Sequence, residues 1–305
     1  MQDKTLPLPR ASLWSRVLPV VRAAFVGLLV MGVGVQSWSL LAIIGLRLGV
    51  AWIPLAAAPV LLAVYWTFFS GSLFWPATKA VRRENFRETA LSSATWTWGL
   101  AGALLFVIAF QSAIFTVFRL FSYPAEQFTP PSYVAQVPTA LLWPLVVMAS
   151  LVAGICEETG FRGYMQRPLE SRYGPAAAIG ITSLLFIVAH LNQAWIGALF
   201  VPGLFASVML GMLAYASRSL IPSMIGHAVM DVFNFGYWWW QLLGTYNQRP
   251  ISETGIDLNF LVWASTLVIS LSLFVFVVRK LWSVSGMSVP QVAGRPAYTS
   301  DSQEG

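Results

Sequence analysis

The feature that most constrains the fold is a long stretch without charge. Between Arg172 and Arg218 the chain contains no Asp, Glu, Lys or Arg. Similar runs recur along the sequence, each longer than the roughly 20 residues that a helix needs to cross a bilayer. Hydrophobic residues make up 57% of the chain and charged residues only 10%, which excludes an ordinary soluble protein. The runs lack the two-residue alternation of barrel strands, and backbone groups in lipid must be paired, so the sequence predicts a bundle of membrane-spanning helices.

Eight spans are predicted from these runs. They are expected near residues 18–37, 52–72, 95–118, 138–160, 175–193, 197–216, 219–241 and 258–278. If the amino terminus is cytoplasmic, most basic residues outside the spans fall on the inner side, and the outer segments hold only Arg47, Arg119 and Arg249. This asymmetry obeys the positive-inside rule. The predicted fold class is all-α: a polytopic membrane helical bundle of about eight transmembrane helices with both termini in the cytoplasm.

The chain is expected to form one domain. Residues 1–281 would be the transmembrane domain, with a motif-bearing core at residues 139–241. Residues 282–305 have too few apolar side chains to pack and predict a disordered cytoplasmic tail. The net charge of +6 lies in short loops rather than in a basic stripe, so we expect a lipid bilayer and no nucleic acid as partners. The predicted location is the membrane itself, as an integral protein of the bacterial inner (cytoplasmic) membrane.

Acids and histidines inside the predicted spans stand out from their apolar surroundings. They are Glu157, Glu158, His190, His227 and Asp231, and the two histidines are the only ones in the chain. Ionisable groups at membrane depth cost several kcal/mol unless they are paired, so they are functional candidates by default. Because they come from three spans, they could converge on one buried pocket.

The spacing of these residues adds a second constraint. Glu158 and Arg162 lie four positions apart, as do His227 and Asp231, so each pair shares one face of its helix. A rise of about 1.5 Å per residue places the acids and histidines roughly 12 to 22 Å from the cytoplasmic ends of their helices. That depth permits a single site in the inner or middle part of the membrane.

Three motifs, taken in chain order, resemble those of a known family. They are Glu157-Glu158-x-x-x-Arg162 with its continuation Phe161-Arg162-Gly163, Phe186-x-x-x-His190, and His227-x-x-x-Asp231. Together they resemble the CAAX-processing and bacteriocin-immunity (CPBP, or Abi) family of intramembrane proteases, over residues 139–241. One such motif is common by chance in membrane proteins, whereas three in order that use both histidines are specific.

The resemblance implies an intramembrane endopeptidase that acts on a peptide or protein substrate at the membrane. Glu157 would take a proton from a water molecule, and His190 would orient or share that water. His227 would face the oxyanion that develops on the carbonyl oxygen, and Asp231 would orient His227. The choice of Glu157 over Glu158 as the base comes from the resemblance and not from spacing.

Further residues are predicted to support the site. Glu158 and Arg162 would form a buried ion pair, and Phe186 belongs to the second motif. Many members of the family carry Asn where this chain has Asp231, and an ionised carboxylate cannot donate a hydrogen bond to an oxyanion. Asp231 would then be protonated, act only as an orienter or bind a metal, and Asn234 could supply the missing amide.

A metal site is the main alternative to metal-free chemistry. Glu157, His190, His227 and Asp231 are a candidate Zn²⁺ set, although they come from three helices and lack the short ligand spacing of many zinc sites. We prefer a mechanism without a cofactor. A glutamate-type protease and a metalloprotease both stay open. Two other functions also use buried polar groups: a transporter or proton relay built on the same cluster, and a catalytically silent membrane scaffold.

Overall fold

A computed structural model describes residues 17–87, 89–123, 137–191, 196–238 and 241–286. Within these ranges the chain is helical and contains no β-strand, which confirms the predicted all-α class. The predicted disordered tail lies outside the described residues from position 287 onwards, and the helix before it continues to Val284.

The described residues form both long and short helices. In chain order the helices are α1 (Pro19–Arg47), α2 (Trp52–Phe69), α3 (Lys79–Phe86), α4 (Ser93–Leu120), α5 (Thr139–Glu158), α6 (Gln166–Tyr173), α7 (Pro175–Ala189), α8 (Ile196–Ser217), α9 (Ile221–Trp238), α10 (Ile251–Thr254) and α11 (Leu258–Val284). A π-helix, Thr159–Met165, joins α5 to α6, so that Thr139–Tyr173 is one continuous rod. A 3-10 turn at Pro76–Thr78 precedes α3.

Each of the eight predicted spans overlaps one helix, namely α1, α2, α4, α5, α7, α8, α9 or α11. By length and apolar composition, six helical stretches of the described residues can cross a membrane: α1, α2, α4, the rod Thr139–Tyr173, Phe200–Ser217 of α8, and α11. The 15-residue α7 is apolar but shorter. The chain is therefore a helical membrane bundle, while the count of eight spans and the cytoplasmic position of the termini stay predictions.

The reversal between α6 and α7 has a local cause. Gly174 has φ of +81°, in the left-handed region that side chains with a Cβ rarely adopt, and Pro175 starts α7 where its missing N–H costs no helical hydrogen bond. The stretch from Glu157 to this turn and the stretch from the turn to His190 are nearly equal in length. The turn therefore returns His190 to the depth of Glu157 in the bundle.

The central helix of the bundle is α4, which packs against α8, α9 and α11. Phe106 and Ile114 of α4 are fully buried in one cluster with Leu213 of α8 and Phe274 of α11. By contrast, α1, α2 and α11 expose many large apolar side chains, as expected of helices that face hydrocarbon. Burial in this core fixes the frame in which α5 and α9 meet.

Two glycines let other helices approach the long rod closely. A Cβ at Gly154 of α5 would lie 2.8 Å from the backbone nitrogen of Ala228 in α9. A Cβ at Gly160, in the π-helix, would lie 2.6 Å from the carbonyl oxygen of Gly27 in α1. Small residues are typical of crossings between membrane helices, where close backbone packing drives association. The α5–α9 contact sets the acids at the end of α5 beside His227.

The segments that were predicted to share one side of the membrane meet in the structure. Arg87, after α3, binds Glu170 of α6 at 2.6 Å, and both belong to predicted inner segments. Arg119, at the end of α4, binds Asp257 before α11 at 2.8 Å, and both belong to predicted outer segments. Hydrogen bonding to Arg119 lowers the pKa of the Asp257 carboxyl. The grouping agrees with the predicted topology.

Candidate active site

The structure brings the four predicted catalytic residues together from three elements. Glu157 lies at the end of α5, His190 directly follows α7, and His227 and Asp231 lie one turn apart on α9. The Oε2 atom of Glu157 lies 3.7 Å from Nε2 of His190 and 3.9 Å from Nε2 of His227. The same nitrogen of His227 lies 3.5 Å from Oδ2 of Asp231. One carboxylate and two imidazoles thus face a common point, with a second carboxylate beside it.

The orientation of His190 explains the spacing of its motif. Its Nδ1 lies 2.7 Å from the carbonyl oxygen of Phe186, four residues earlier, and its ring packs on the Phe186 ring with 4.3 Å between centroids. A carbonyl oxygen only accepts hydrogen bonds, so Nδ1 carries the proton. In the neutral ring, the lone pair of Nε2 then faces Glu157, where it can accept a hydrogen bond from water.

The orientation of His227 differs from the prediction. The sequence predicts Asp231 as the residue that orients this ring, but Nδ1 of His227 lies 2.8 Å from Oε1 of Glu158 on α5. Asp231 faces the other ring nitrogen. The physical reason is that the close α5–α9 crossing turns the Nδ1 edge of the ring towards α5, which helical spacing along α9 alone cannot reveal.

Glu158 also forms the predicted ion pair with Arg162. Its Oε1 lies 2.9 Å from Nη1 of Arg162, and both side chains are buried, at 0% and 1% exposure. The same oxygen therefore faces two partners, the guanidinium and the imidazole. Removing water from both charges is costly, and the attraction between them offsets that cost only while both partners are present.

Arg162 connects the rod to α7 and α8. Its Nη2 donates hydrogen bonds to the hydroxyl of Ser207 at 2.9 Å and to the Ser207 carbonyl at 3.2 Å, both on α8. The guanidinium carbon lies 4.9 Å from the centroid of the Phe186 ring, a cation–π arrangement. Ser207 was not predicted from the sequence, because a serine in an apolar span gives no signal of its own.

The predicted supporting residue Asn234 lies about one turn beyond Asp231 on α9. It follows His227 by two helical turns, about 10 Å along the axis of α9, and its Oδ1 accepts a hydrogen bond from Nε2 of Gln111 at 3.0 Å. Gln111, on α4, was not predicted either. The sequence does mark Gln111 as unusual, because it is the only amide or ionisable side chain in the predicted span 95–118.

A second buried network supports the π-helix from the side of α3. Nε of Arg87 donates to the carbonyl oxygen of Arg162 at 3.1 Å, and its Nη2 donates to Glu170 at 2.6 Å. Gln166 donates to the same carboxylate oxygen at 2.8 Å. Burial lowers the pKa of the Arg87 guanidinium, and the neighbouring Glu170 carboxylate opposes that shift. Arg87 thus satisfies a carbonyl of the irregular helix that carries Arg162.

The four catalytic candidates are also the predicted zinc ligands. Among the described residues, no group of three or more His, Cys, Asp and Glu side chains has the arrangement needed to hold a metal ion. As placed, the residues do not fit the predicted Zn²⁺ site. No step of the chemistry proposed below passes through a metal.

Comparison with known proteins adds one finding to this geometry. Residues 138–233 match the sequence profile of the family described as Type II CAAX prenyl endopeptidase Rce1-like. The matched range holds all four catalytic candidates with Glu158, Arg162 and Phe186, and leaves α1 to α4 and α11 outside. No curated protein and no solved structure matches the chain. The match confirms the resemblance drawn from the three motifs, and it indicates a membrane protease.

Proposed function

We propose that this integral membrane protein is an intramembrane endopeptidase of the CAAX-protease type, which hydrolyses a peptide bond with a water molecule activated by Glu157 and His190. The match of residues 138–233 supports the protease class. The residues and the steps assigned below are inferred from the geometry. The substrate would be a peptide or protein at the membrane, and we place the enzyme in the bacterial inner (cytoplasmic) membrane.

The observation that carries the proposal is the position of one carboxylate oxygen. Oε2 of Glu157 is buried, has no hydrogen-bond partner among the described residues, and faces the Nε2 atoms of His190 and His227 at 3.7 and 3.9 Å. Both distances exceed a direct hydrogen bond, and a water bonded at about 2.8 Å to two of these atoms satisfies the geometry. A buried carboxylate oxygen without a hydrogen bond is costly, so it calls for a functional reason.

In the first step, Glu157 takes a proton from this water while the oxygen attacks the carbonyl carbon of the scissile bond. Nε2 of His190 accepts the other hydrogen of the water, so that a lone pair of the oxygen points at the carbon. The carbonyl π bond breaks, and its electron pair becomes the oxyanion of a tetrahedral intermediate.

His227 is placed to stabilise that oxyanion. Its Nδ1–H is held by Glu158, so Nε2 donates a hydrogen bond when the ring carries both protons. Carboxylates lie at both ring nitrogens, Glu158 at 2.8 Å and Asp231 at 3.5 Å, which is the charge environment of a doubly protonated ring. A fixed donor in a water-poor site is worth more than the same donor in water.

In the last step, the oxyanion electrons re-form the carbonyl bond and the carbon–nitrogen bond breaks. Glu157 returns its proton to the leaving amine, so one residue serves as base and then as acid. The hydrogen that stayed on the attacking oxygen passes from the new carboxylic acid to the amine, so the products are a carboxylate and a protonated amine, and the enzyme is unchanged.

The test compares wild-type protein in lipid vesicles with Glu157→Gln and His227→Ala. We expect each variant to lose at least about 100-fold in peptide hydrolysis, in line with the loss of a general base or an oxyanion donor. Glu253→Gln, at an exposed position of α10, is the matched control and should cleave like wild type. Peptides for the assay can be found by comparing membrane peptides of wild-type and Glu157→Gln cells.

Three results would contradict the proposal. Hydrolysis that is as fast with Glu157→Gln as with the wild type removes the proposed base. A cellular function that tolerates this variant points to the silent scaffold. Solute or proton flux through vesicles that depends on Glu157 without any hydrolysis points to the transporter or relay.

A further inference from the structure

A cavity of about 810 Å³ lies away from the candidate active site, at the predicted cytoplasmic ends of α1, α3 and α6. Its walls include Ala23 of α1 and Leu169 of α6, and these side chains belong to the same buried apolar cluster as Phe161 and Phe186 beside the catalytic residues. The packed cluster thus lies between the cavity and the active site. The cavity plays no part in the proposed chemistry.

The charge of the walls favours an anion. Arg22 and Arg172 line the cavity, together with the polar side chains of Asn85 and Ser171, and the described residues of its wall include no Asp or Glu. Nε of Arg22 is buried and has no hydrogen-bond partner among the described residues. An unpaired donor of this kind on a charged group is costly, and an anionic ligand would satisfy it with a charge-assisted hydrogen bond.

The remaining walls favour a ligand with apolar chains. Leu18, directly before α1, lines the cavity together with Val26 of α1 and Val81 of α3. Beside it, α1 continues with an exposed apolar face that includes Val21 and Phe25. A helix with such a face is bordered by acyl chains in the membrane. The cavity therefore joins a basic end to a surface that lipid covers.

We propose that this cavity binds an anionic phospholipid of the cytoplasmic leaflet. Arg22 and Arg172 would bind its phosphate group, and its acyl chains would lie along Val26 and the exposed face of α1. Basic pockets between helices on the cytoplasmic side are suited to anionic head groups, and the inner leaflet supplies them. The inference uses the predicted topology and does not depend on the proposed protease activity.

The experiment measures lipid binding to the full-length protein in detergent by native mass spectrometry. The probes are phosphatidylglycerol, phosphatidylcholine with the same acyl chains, and inorganic phosphate. We expect one phosphatidylglycerol to bind at least about tenfold more tightly than phosphatidylcholine, because both lipids carry the phosphate but the choline cation offsets its charge beside the two arginines. Inorganic phosphate should not displace it, because the acyl chains contribute to binding.

Variants locate the bound lipid. Arg22→Gln should weaken phosphatidylglycerol binding about tenfold or more, and Ser171→Trp, at an exposed position of the wall, should block the cavity. Arg218→Gln is the matched control, because this exposed arginine also belongs to a predicted inner segment but does not line the cavity. If Arg22→Gln fails to fold, Arg172→Gln and Ser171→Trp carry the test.

Each other outcome overturns the proposal. Equal affinity for the two phospholipids shows that the site does not distinguish an anionic head group from a zwitterionic one. Displacement by inorganic phosphate assigns the site to a free anion rather than a lipid. Wild-type binding by the folded cavity variants, or an equal loss in Arg218→Gln, places the lipid elsewhere on the protein.

Discussion

Replacing Glu158 by Gln tests the role of this residue. The structure places Glu158 at Nδ1 of His227, whereas the motifs predict that Asp231 orients the ring. The carboxylate is fully buried, and one of its oxygens lies 2.9 Å from Arg162 and 2.8 Å from His227. Gln keeps the shape of the side chain but removes the charge, so the guanidinium is left buried without its ion-pair partner. Breaking a buried pair in this way costs about 3–5 kcal/mol of folding free energy. We expect a loss of that size in unfolding experiments in mixed micelles.

The same variant should also lose activity, because the bond that orients His227 is weakened. Residues that orient a metal-binding histidine are worth about 10–100-fold in activity, and we expect a loss of similar size for His227. A second variant, Glu158→Gln with Arg162→Met, separates the two roles. Removing the guanidinium should recover part of the stability, with a coupling free energy of about 1–3 kcal/mol. Peptide hydrolysis should stay low, since His227 still lacks its ionised partner.

The assay follows tryptophan fluorescence for unfolding and peptide cleavage for activity, with Glu253→Gln as the control for an exposed carboxylate. A Glu158→Gln protein that unfolds and cleaves like the wild type would refute the reasoning on both counts. Recovery of stability and activity together in the double variant would show that Glu158 acts only on Arg162 and has no part in orienting His227.

Other predictions follow from single contacts. Gly154→Ala places a Cβ 2.8 Å from the backbone of Ala228 and should lower the unfolding free energy by about 1–3 kcal/mol. Gly32→Ala is the control, because a Cβ there has nothing within 4 Å and should leave the unfolding free energy unchanged. Equal effects of the two variants would contradict the α5–α9 crossing. Asp231→Asn introduces an amide donor near the proposed oxyanion, so the rate of peptide hydrolysis should stay within about tenfold of the wild-type rate. A loss of about 100-fold, as large as that of a missing base, would show that the carboxylate is required. Arg87→Gln leaves the π-helix carbonyl without its donor, so kcat should fall about tenfold with little change in KM, and an unchanged kcat would limit Arg87 to packing.

Much of the fold could be predicted from the sequence, because lipid imposes a strong constraint. Each charge-free run had to become a helix, and each predicted span overlaps one. The positions of the candidate catalytic residues could be predicted for the same reason. Glu157 and both histidines are costly at membrane depth, so their presence alone marks them.

The partners of these residues were decided by tertiary structure. Helical spacing placed Asp231 next to His227 along one helix, but the crossing at Gly154 determines that Glu158 holds the ring. The sequence places Arg87 in a predicted inner segment, but it does not reveal that the side chain reaches the carbonyl of a residue 75 positions away. Hydropathy indicates that a helix forms, but it does not indicate how the helix is rotated against its neighbours. Rotation depends on backbone contacts between distant segments, and only the folded bundle defines those.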